Sequence, residues 1–372
     1  MPEYNDLRPK NDYMKKDYAL IFPPETISKS EKKRTINNLL SLREGLDKEI
    51  STKRTDKNLI VGNWNIKEFG HTTQRLPEAF FYIAEVINRF DIIAIQEIKS
   101  QLHHLNIIMR LLGKDWAYMV NDITEGDEGN SERSAYVYNK KRVELTGIAG
   151  EIVLWDDLTK NSDIKQLKRT PYLTGFKASW KLFSLINLHL HPGEGSDDIK
   201  YRKKEVELLL LAIKEKLDDK HFWNDNLIIT GDMNLYFGND DDTVKLFYNA
   251  GFKEVENLKG KVTNVAKTDA YDRMFLTDNN FINIEKDDSG KEIGNVFNPF
   301  KYVFKDGQEN TYKEFMKEDY GGTAKNLDDP NDLKSYYFEP WRKNQISDHF
   351  PIWMELLIDS SDDFLKAKLG EL

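Results

Sequence analysis

The sequence predicts an α/β fold, and two of its features lead to that prediction. From Leu59 onward, short runs of apolar residues alternate with longer segments in which apolar residues recur at helical spacing. Hydrophobic residues make up 39% of the 372 residues and aromatic residues 12%, which is enough to fill the core of one large domain or two ordinary ones. Because the alternation runs to Ile358 without an internal repeat, we place the main domain at residues 58–358.

The segment before this domain, residues 1–57, is predicted to contain an arm and one helix. Residues 1–27 are polar and include Pro23-Pro24, which is typical of an extended arm. Ser28 and Glu31 have the spacing of a helix-capping box. The apolar residues that follow recur at helical spacing to about Ile50, and they are Ile36, Leu39, Leu40, Leu42 and Leu46. We expect this helix to pack on the main domain.

The main domain is predicted from its strands and helices in order. Apolar runs predict strands at residues 59–66, 91–97, 116–120, 134–139, 142–146, 151–155, 172–178, 181–189, 226–232, 270–277 and 352–358. Helical spacing predicts helices at residues 76–90, 102–112, 201–217 and 243–250.

Residues 278–344 interrupt this pattern and are rich in Asp, Asn, Lys and Gly, with interleaved aromatic residues. A loop of this length without structure is uncommon in a compact domain. We therefore predict a partly folded insertion on the surface, whose aromatic residues form a small core of their own. A lid over the functional site is the alternative. Residues 359–372 are predicted to be a C-terminal tail.

The composition excludes several classes of chemistry. The chain has no Cys, which rules out disulfides, thiolate metal ligands and a Cys nucleophile. A metal here needs oxygen and nitrogen ligands, so we expect Mg²⁺, with Mn²⁺ or Ca²⁺ as alternatives. The net charge of −9 argues against a non-specific grip on nucleic acid by the whole surface, although a local basic face is compatible with it.

The chain shows no sign of membrane insertion or secretion. No apolar run approaches the roughly 20 residues of a membrane helix. The first residues lack the basic and then apolar pattern of a signal peptide. These observations favour a cytoplasmic protein, with a secreted form that has lost its signal as the alternative. Nothing in the sequence indicates an obligate protein partner.

Polar side chains stand at the ends of several strongly apolar strands. Asn65 and Glu97 close the first two strands, Asp232 closes a later one, and Asp348 opens the last. Asn234 shares a direction with Asp232, because positions i and i+2 of an extended segment point the same way. Amide and carboxylate oxygens are the ligands of hard divalent cations. We therefore predict a metal site formed by Asn65, Glu97, Asp232 and Asp348.

Two of the seven histidines are candidates for proton transfer. His189 follows an apolar strand and His349 precedes one, and each needs a carboxylate to orient it. Glu132 and Asp272 are the candidate partners. His191 is expected in a structural or surface role. The other histidines are expected at the surface, and they are His71, His103, His104 and His221.

The chain lacks the G-x-S-x-G, P-loop and Rossmann glycine patterns. This removes support for acyl transfer, nucleotide-triphosphate chemistry and hydride transfer. Metal-assisted hydrolysis of a phosphate ester fits the residues that remain.

Eight short motifs occur in order along the chain, at residues 65–70, 91–97, 131–138, 169–171, 187–189, 231–234, 270–273 and 347–351. The ordered set resembles the endonuclease/exonuclease/phosphatase superfamily, and most closely its pancreatic-type deoxyribonuclease I branch. The resemblance implies a four-layered α/β sandwich, in which two face-to-face, mostly antiparallel sheets are flanked by helices. It also implies an active site where the strand ends meet.

The resemblance further implies hydrolysis of a phosphodiester. A divalent ion near Glu97 would offset the charge on the phosphate, and His189 with His349 would transfer protons. Asn234 and Arg169 would hold the phosphate oxygens. The further positions implied for substrate binding are Asn187, Tyr271 and Lys99.

Two departures from that branch concern the substrate. Lys99 stands where duplex-cutting relatives carry an Arg that enters the minor groove, and Asn130 stands where they carry a stacking Tyr. The disulfides of those relatives also have no counterpart, because the chain has no Cys.

Three functions therefore remain open. The first is a DNA endonuclease of low sequence specificity. The second is a phosphatase or phosphodiesterase on a small or lipid substrate, such as a phosphoinositide or sphingomyelin. The absence of the Trp-Cys-Asp-Arg motif of inositol phosphatases at residues 270–273 counts against that class. The third is a catalytically silent binding protein, against which the complete set of catalytic residues argues.

Overall fold

The computed structural model describes residues 2–9, 20–70, 75–123, 131–218, 224–279 and 281–371. Its strands are β1 Asn58–Phe69, β2 Ile92–Lys99, β3 Trp116–Val120, β4 Glu132–Asn139, β5 Glu144–Glu151, β6 Tyr172–Ala178, β7 Lys181–His189, β8 Leu227–Asp232, β9 Phe252–Glu254, β10 Asp272–Thr277, β11 Asn283–Ile284, β12 Gly294–Val296 and β13 Ile352–Leu357. Its α-helices are α1 Lys29–Glu49, α2 Pro77–Asn88, α3 His103–Leu112, α4 Asp156–Thr159, α5 Ser196–Asp218, α6 Asp241–Asn249, α7 Glu309–Asp319, α8 Pro330–Tyr336, α9 Arg342–Gln345 and α10 Ser361–Glu371.

The strands form two sheets. The first has the order β11-β13-β1-β2-β4-β3, with β12 also paired to β13, and the second has the order β5-β6-β7-β8-β10-β9. Each sheet contains one parallel pair, β1 with β2 and β7 with β8, and its other pairs are antiparallel. The parallel pairs are joined by crossover helices, α2 and α5, as parallel strands require.

Three apolar layers hold the sheets and helices together. The inner layer contains side chains from both sheets, such as Val61 and Ile92 facing Leu185 and Met274. A second layer lies between the first sheet and α1, α2 and α3. A third lies between the second sheet and α5 and α6. The prediction of a four-layered α/β sandwich with two mostly antiparallel sheets is therefore confirmed.

The helix before the main domain forms as predicted, but only some of its apolar residues are buried. Ser28 accepts a hydrogen bond from the backbone N–H of Glu31, and the Glu31 carboxylate accepts one from the N–H of Ser28. Leu39, Leu42 and Leu46 are buried. Ile36 and Leu40 belong to the same apolar pattern but are 40% and 62% exposed.

The insertion is folded, but the prediction that its aromatic residues form a small core of their own is wrong. It begins with β11 and β12, which extend the first sheet at β13. Its aromatic residues then join the layer that contains α1 and α2, where Phe304 packs edge-on against Tyr82 and the Arg34 guanidinium lies 4.8 Å from the ring of Tyr312. None of its described residues lines the cavity discussed below, so the alternative of a lid finds no support.

The second sheet contains the clearest error among the predicted strands. Residues 142–146 and 151–155 were expected to form two strands, but a single strand, β5, pairs with β6 from Glu144 to Glu151. Ile152 and Leu154 instead turn into the apolar layer beside α5, which ends the strand. Within the described residues, no helix is both long and apolar enough to cross a membrane.

Candidate active site

The candidate site lies where the carboxyl ends of the two parallel strand pairs meet. In the sheet registers Asn65 is opposite Gln96, and His189 is opposite Asp232. A hydrogen bond of 2.8 Å from the Asn65 side chain to Asp232 brings the two pairs together. A cavity of about 760 Å³ opens there and is lined by residues from both sheets. The side chains predicted from the separate strand ends therefore meet in one place.

A β-bulge directs Glu97 into this cavity. Ile95 pairs with Ala135 and Ile98 with Arg133, so two residues of β2 lie opposite one residue of β4. Glu97 has a left-handed backbone with φ of 60°. Its carboxylate accepts hydrogen bonds from the Asn65 side-chain amide at 2.9 Å and from the backbone N–H of Glu68 at 2.8 Å.

The amide of Asn65 connects two of the predicted metal ligands. Its Nδ2 donates to Glu97 and also to Asp232 Oδ2, at 2.8 Å. This leaves Asn65 Oδ1 buried without a hydrogen-bond partner among the described residues. A buried acceptor without a partner is costly, and a cation beside it would remove that cost.

The charges lining the cavity also favour a cation. Its cationic side chains are Lys67, Lys99 and Arg169. Its carboxylates are Glu68, Glu97, Glu132, Asp232 and Asp348. Before the histidines are counted, the lining carries five negative and three positive charges, and a protonated His349 leaves one negative charge in excess. A phosphate would be repelled by such a surface unless a divalent cation offset its charge.

His189 faces Glu132. Its Nδ1 lies 3.1 Å from Glu132 Oε2, which is within ion-pair distance, although the two atoms do not meet the geometry of a hydrogen bond. Arg169 Nε donates to the same oxygen at 2.9 Å, and Lys99 Nζ lies 3.3 Å from Oε1. Burial alone would raise the pKa of Glu132, but the close contact with His189 and the charges of Arg169 and Lys99 outweigh it and lower this pKa to about 2.

His349 is oriented by Asp272 from the other sheet. Its Nδ1 lies 2.8 Å from Asp272 Oδ2, and both side chains are buried. Burial lowers the pKa of His349, but the charges of Asp272 and Asp232 outweigh it and raise this pKa well above its ordinary value. Each histidine is therefore held by a carboxylate of the opposite sheet, because Glu132 lies on the first sheet and His189 on the second.

Asp232 lies between the two imidazoles. Its Oδ2 is 3.6 Å from His189 Nε2 and 3.7 Å from His349 Nε2. Asn234 follows with a left-handed backbone and lines the cavity. The Nδ1 atoms are thus held from behind, while the Nε2 atoms face one shared point. This arrangement suits proton transfer at two positions around a single reacting group.

The remaining predicted residues lie at different depths. Asp348 lines the cavity, and its carboxylate is 3.6 Å from Lys67 Nζ. Tyr271 lies beside the site, with its ring 5.7 Å from that of His349. Arg169 and Lys99 line the cavity next to Glu132.

Asn187 requires a correction, because it is not placed to touch a substrate. Its side chain has no exposed surface and bridges the sheets, donating to the carbonyl groups of Ile95 and Ala135. Gln96 donates both to Asn187 and to Asn63, and Asn63 donates to Asp272. A buried chain of amides therefore runs beneath the site to the carboxylate that orients His349.

His104 was expected at the surface but is buried. Its Nδ1 accepts a hydrogen bond from the backbone N–H of Gly70 at 2.9 Å and lies 3.1 Å from an Arg75 nitrogen. Burial and the charge of Arg75 lower the pKa of His104 to about 3. His103 is exposed as predicted, and His191 lies 2.8 Å from Asp198. The predictions for His71, His221 and Asn130 fall outside the described residues.

Ser347 and Asn63 were not predicted as site residues, although both support the site. The Ser347 hydroxyl donates to the carbonyl of Asn65 at 2.7 Å and accepts from the backbone N–H groups of Lys67 and His349. It thereby joins the end of β1 to the turn before β13. Asn63 is a polar residue two positions before Asn65 in a buried strand, and that pattern is the signal that could have revealed it.

Comparisons with known proteins were consistent with the motifs. No protein-family model matches the chain. Over 185 residues it is 26% identical to deoxyribonuclease gamma of Homo sapiens, covering 47% of this chain and 55% of that protein. Over 151 residues it is 24% identical to deoxyribonuclease-1 of Homo sapiens, covering 38% of this chain and 51% of that protein. The chain thus spans about half the length of the curated relatives it matches.

Solved structures with a similar fold were also found. One is an endonuclease/exonuclease/phosphatase family protein from Bacteroides thetaiotaomicron, with 17% identity, a TM-score of 0.48, and coverage of 81% of this chain and 98% of that chain. Another is TDP2 of D. rerio complexed with a single-strand DNA product, with 14% identity, a TM-score of 0.48, and coverage of 80% and 98%.

The two deoxyribonuclease matches confirm the resemblance to the endonuclease/exonuclease/phosphatase superfamily. The chain is thus similar to proteins of the deoxyribonuclease I branch.

Proposed function

We propose that this chain is a divalent-metal-dependent phosphodiesterase, and specifically a DNA endonuclease of low sequence specificity. The observation that carries the proposal is the pair of histidines whose Nε2 atoms lie 3.6 and 3.7 Å from one carboxylate oxygen of Asp232. Both imidazoles are held from behind by carboxylates, at 3.1 and 2.8 Å. Hydrolysis of a phosphodiester needs proton transfer at the attacking water and at the leaving oxygen, and two oriented imidazoles supply both.

His189 and His349 each have a defined task in this proposal. One accepts a proton from the attacking water, and the other donates a proton to the leaving oxygen. Glu132 and Asp272 keep Nδ1 of each ring engaged, so that proton exchange occurs at Nε2. Arg169 and Asn234 line the same cavity and bind the non-bridging phosphate oxygens.

Mg²⁺ is the proposed metal, with Mn²⁺ or Ca²⁺ as alternatives. Glu97 and Asn65 would hold it, with Asp232 and Asp348 close by, and when bound it would offset negative charge on the phosphate. The unpartnered Asn65 Oδ1 and the negative lining support this fit. Among the described residues no group of three His, Asp or Glu side chains lies close enough together to hold a metal ion by itself.

DNA is the proposed substrate because both curated relatives are deoxyribonucleases by name. The cavity offers cations and amides suited to the phosphate backbone, which every sequence shares. Low sequence specificity follows from contacts of this kind.

A plasmid assay tests the proposal. The protein is incubated with supercoiled plasmid and Mg²⁺, with and without a chelator. We expect nicking that the chelator stops and that His189→Ala or His349→Ala abolishes. His103→Ala provides a matched control, because His103 is the exposed neighbour of the buried His104. This variant should nick at the rate of the unmodified protein.

The same preparation separates the alternatives. No nicking with any of the three metals would overturn the endonuclease proposal. Hydrolysis of phosphoinositide or sphingomyelin vesicles without nicking would favour the lipid phosphoesterase instead. Binding of DNA without hydrolysis would favour a silent binding protein.

A further inference from the structure

Lys99 is brought beside Glu132 by the register of the first sheet. The two residues are paired across β2 and β4. Ile95 and Ile98 both pack toward the helices. In a regular strand, two residues three positions apart would point to opposite faces. The bulge at Glu97 therefore reverses the alternation of side chains along β2. Without it Lys99 would point toward the helices, but with it Lys99 points toward the cavity.

The Lys99 ammonium is engaged by the carboxylate of Glu132. Its Nζ lies 3.3 Å from Glu132 Oε1, and its side chain is only 15% exposed. The other carboxylate oxygen is occupied by Arg169 at 2.9 Å and by His189 at 3.1 Å. The two oxygens of Glu132 are thus held from different sides. A carboxylate fixed at both oxygens has little freedom to rotate away from the imidazole.

We propose that Lys99 is a positioning residue, which fixes Glu132 so that Glu132 in turn holds His189. In this role its ammonium is used inside the site and does not reach into a groove of the nucleic acid. The inference rests on the proposed phosphodiesterase function. In this role Lys99 acts independently of the nucleobases of the substrate. The site then holds its substrate through the phosphate, so Lys99 matters equally for DNA and for a diester that has no groove.

A contact to a groove would have different consequences. It would add affinity for DNA alone and would contribute about one unit to the dependence of binding on salt. A positioning residue changes the rate of the chemical step and leaves the salt dependence unaltered. The two roles are therefore separable by comparing substrates.

The test uses Lys99→Met, which removes the charge and keeps the length, and Lys99→Arg, which keeps the charge. Lys140→Met is the matched control for loss of one positive charge, because Lys140 follows β4 at the end opposite to Glu132 and is exposed. Each variant is assayed with plasmid DNA and with bis(4-nitrophenyl) phosphate. We expect Lys99→Met to lower kcat by the same factor on both substrates, roughly tenfold, with KM unchanged. Lys99→Arg should retain most activity, and Lys140→Met should match the unmodified protein.

A second measurement reports on the contact between Glu132 and His189. The proton on His189 Nδ1 should give a downfield NMR signal through its contact with Glu132, and Lys99→Met should shift or broaden that signal. Thermal unfolding checks that the variant is folded, and Lys99→Gln replaces it if it is not.

Loss of activity on DNA alone, with a higher KM and a weaker salt dependence, would overturn the positioning role and indicate a groove contact. An unmoved His189 signal would also overturn it. If the unmodified protein cleaves neither substrate, the proposed function fails, and the NMR comparison still decides the role of Lys99.

Discussion

His349 and Asp272 meet across the two sheets, with Nδ1 and Oδ2 2.8 Å apart. Asp272 begins β10 of the second sheet, while His349 precedes β13 of the first. Asn63 donates to the other oxygen of Asp272 at 3.2 Å, so the carboxylate is fixed on both sides. The orientation of His349 is therefore set by residues of both sheets.

Replacing Asp272 tests how much the proposed catalysis depends on this carboxylate. Asp272→Asn removes the charge that raises the pKa of His349, so the imidazole should titrate at lower pH. We expect the nicking rate to fall by about 100-fold, within the range of general acid–base effects. Plasmid kinetics measure the rate, and an NMR titration of His349 measures the pKa. Asp278→Asn, an exposed residue just beyond the other end of β10, is the control, and equal losses in both variants would contradict the prediction.

Glu97 should control the requirement for metal. Glu97→Gln keeps the shape of the side chain but removes the charge from the oxygens beside Asn65. We expect the Mg²⁺ concentration for half-maximal nicking to rise by about tenfold or more. Calorimetric titration with Mg²⁺ provides a readout independent of activity. Glu151→Gln, at the exposed end of β5, should leave both values unchanged, and an unaltered Mg²⁺ requirement in Glu97→Gln would exclude Glu97 as a ligand.

The buried His104 should make the stability of the fold sensitive to acid. Its pKa is lowered to about 3, from an ordinary value of 6.5. Below pH 6.5 the unfolded chain binds a proton that the folded chain does not, so stability is full above pH 6.5 and falls as the pH drops toward 3. In that window this one group contributes about 1.4 kcal/mol per pH unit.

Urea unfolding at pH 7 and pH 5 measures this dependence. His104→Gln keeps an acceptor for the Gly70 N–H but does not titrate, so it should lose this part of the pH dependence. His103→Gln changes an exposed neighbour and should retain it. The same slope in all three proteins would contradict the prediction.

Gln96 should be important for stability because it lies in the middle of the buried amide chain. Gln96→Leu leaves the acceptor oxygens of Asn63 and Asn187 without their donor. Each unsatisfied buried group costs about 1–3 kcal/mol, so we expect the free energy of unfolding to fall by about 2–5 kcal/mol. Chemical denaturation measures it. Gln101→Leu, at an exposed position, should change it little, and a loss below 1 kcal/mol in Gln96→Leu would show that the chain contributes little.

Sequence reasoning located most of the site because its residues occur at the ends of apolar strands. Asn65, Glu97, His189 and Asp232 each follow such a run, and strand ends at one edge of a sheet converge. The features that could not be read are those that depend on pairing between distant segments. The bulge at Glu97 exists only relative to β4, so neither the direction of Lys99 nor its contact with Glu132 is visible in the local pattern.

Burial was the other property that local patterns misjudged. His104 lies in a polar segment, but Phe69 and Phe80 cover its ring, and both come from other elements. Leu40 repeats at helical spacing, yet no described element covers it. Asn187 matched a motif position, but three hydrogen bonds to residues of the first sheet hold its side chain between the sheets. In each case the outcome depended on a second surface that the local sequence does not contain.

Each histidine of the site pairs with a carboxylate of the other sheet. The proposed activity therefore depends on how the two sheets are aligned with each other. Glu132 with His189 and Asp272 with His349 each span the seam between the sheets. A shift of one whole sheet past the other by the length of one residue, about 3.3 Å, would break both pairs together. Neither sheet contains a complete pair of histidine and carboxylate. If one sheet were replaced by the corresponding sheet of a related chain, the hybrid would be active only if the residues at the seam between the sheets also matched.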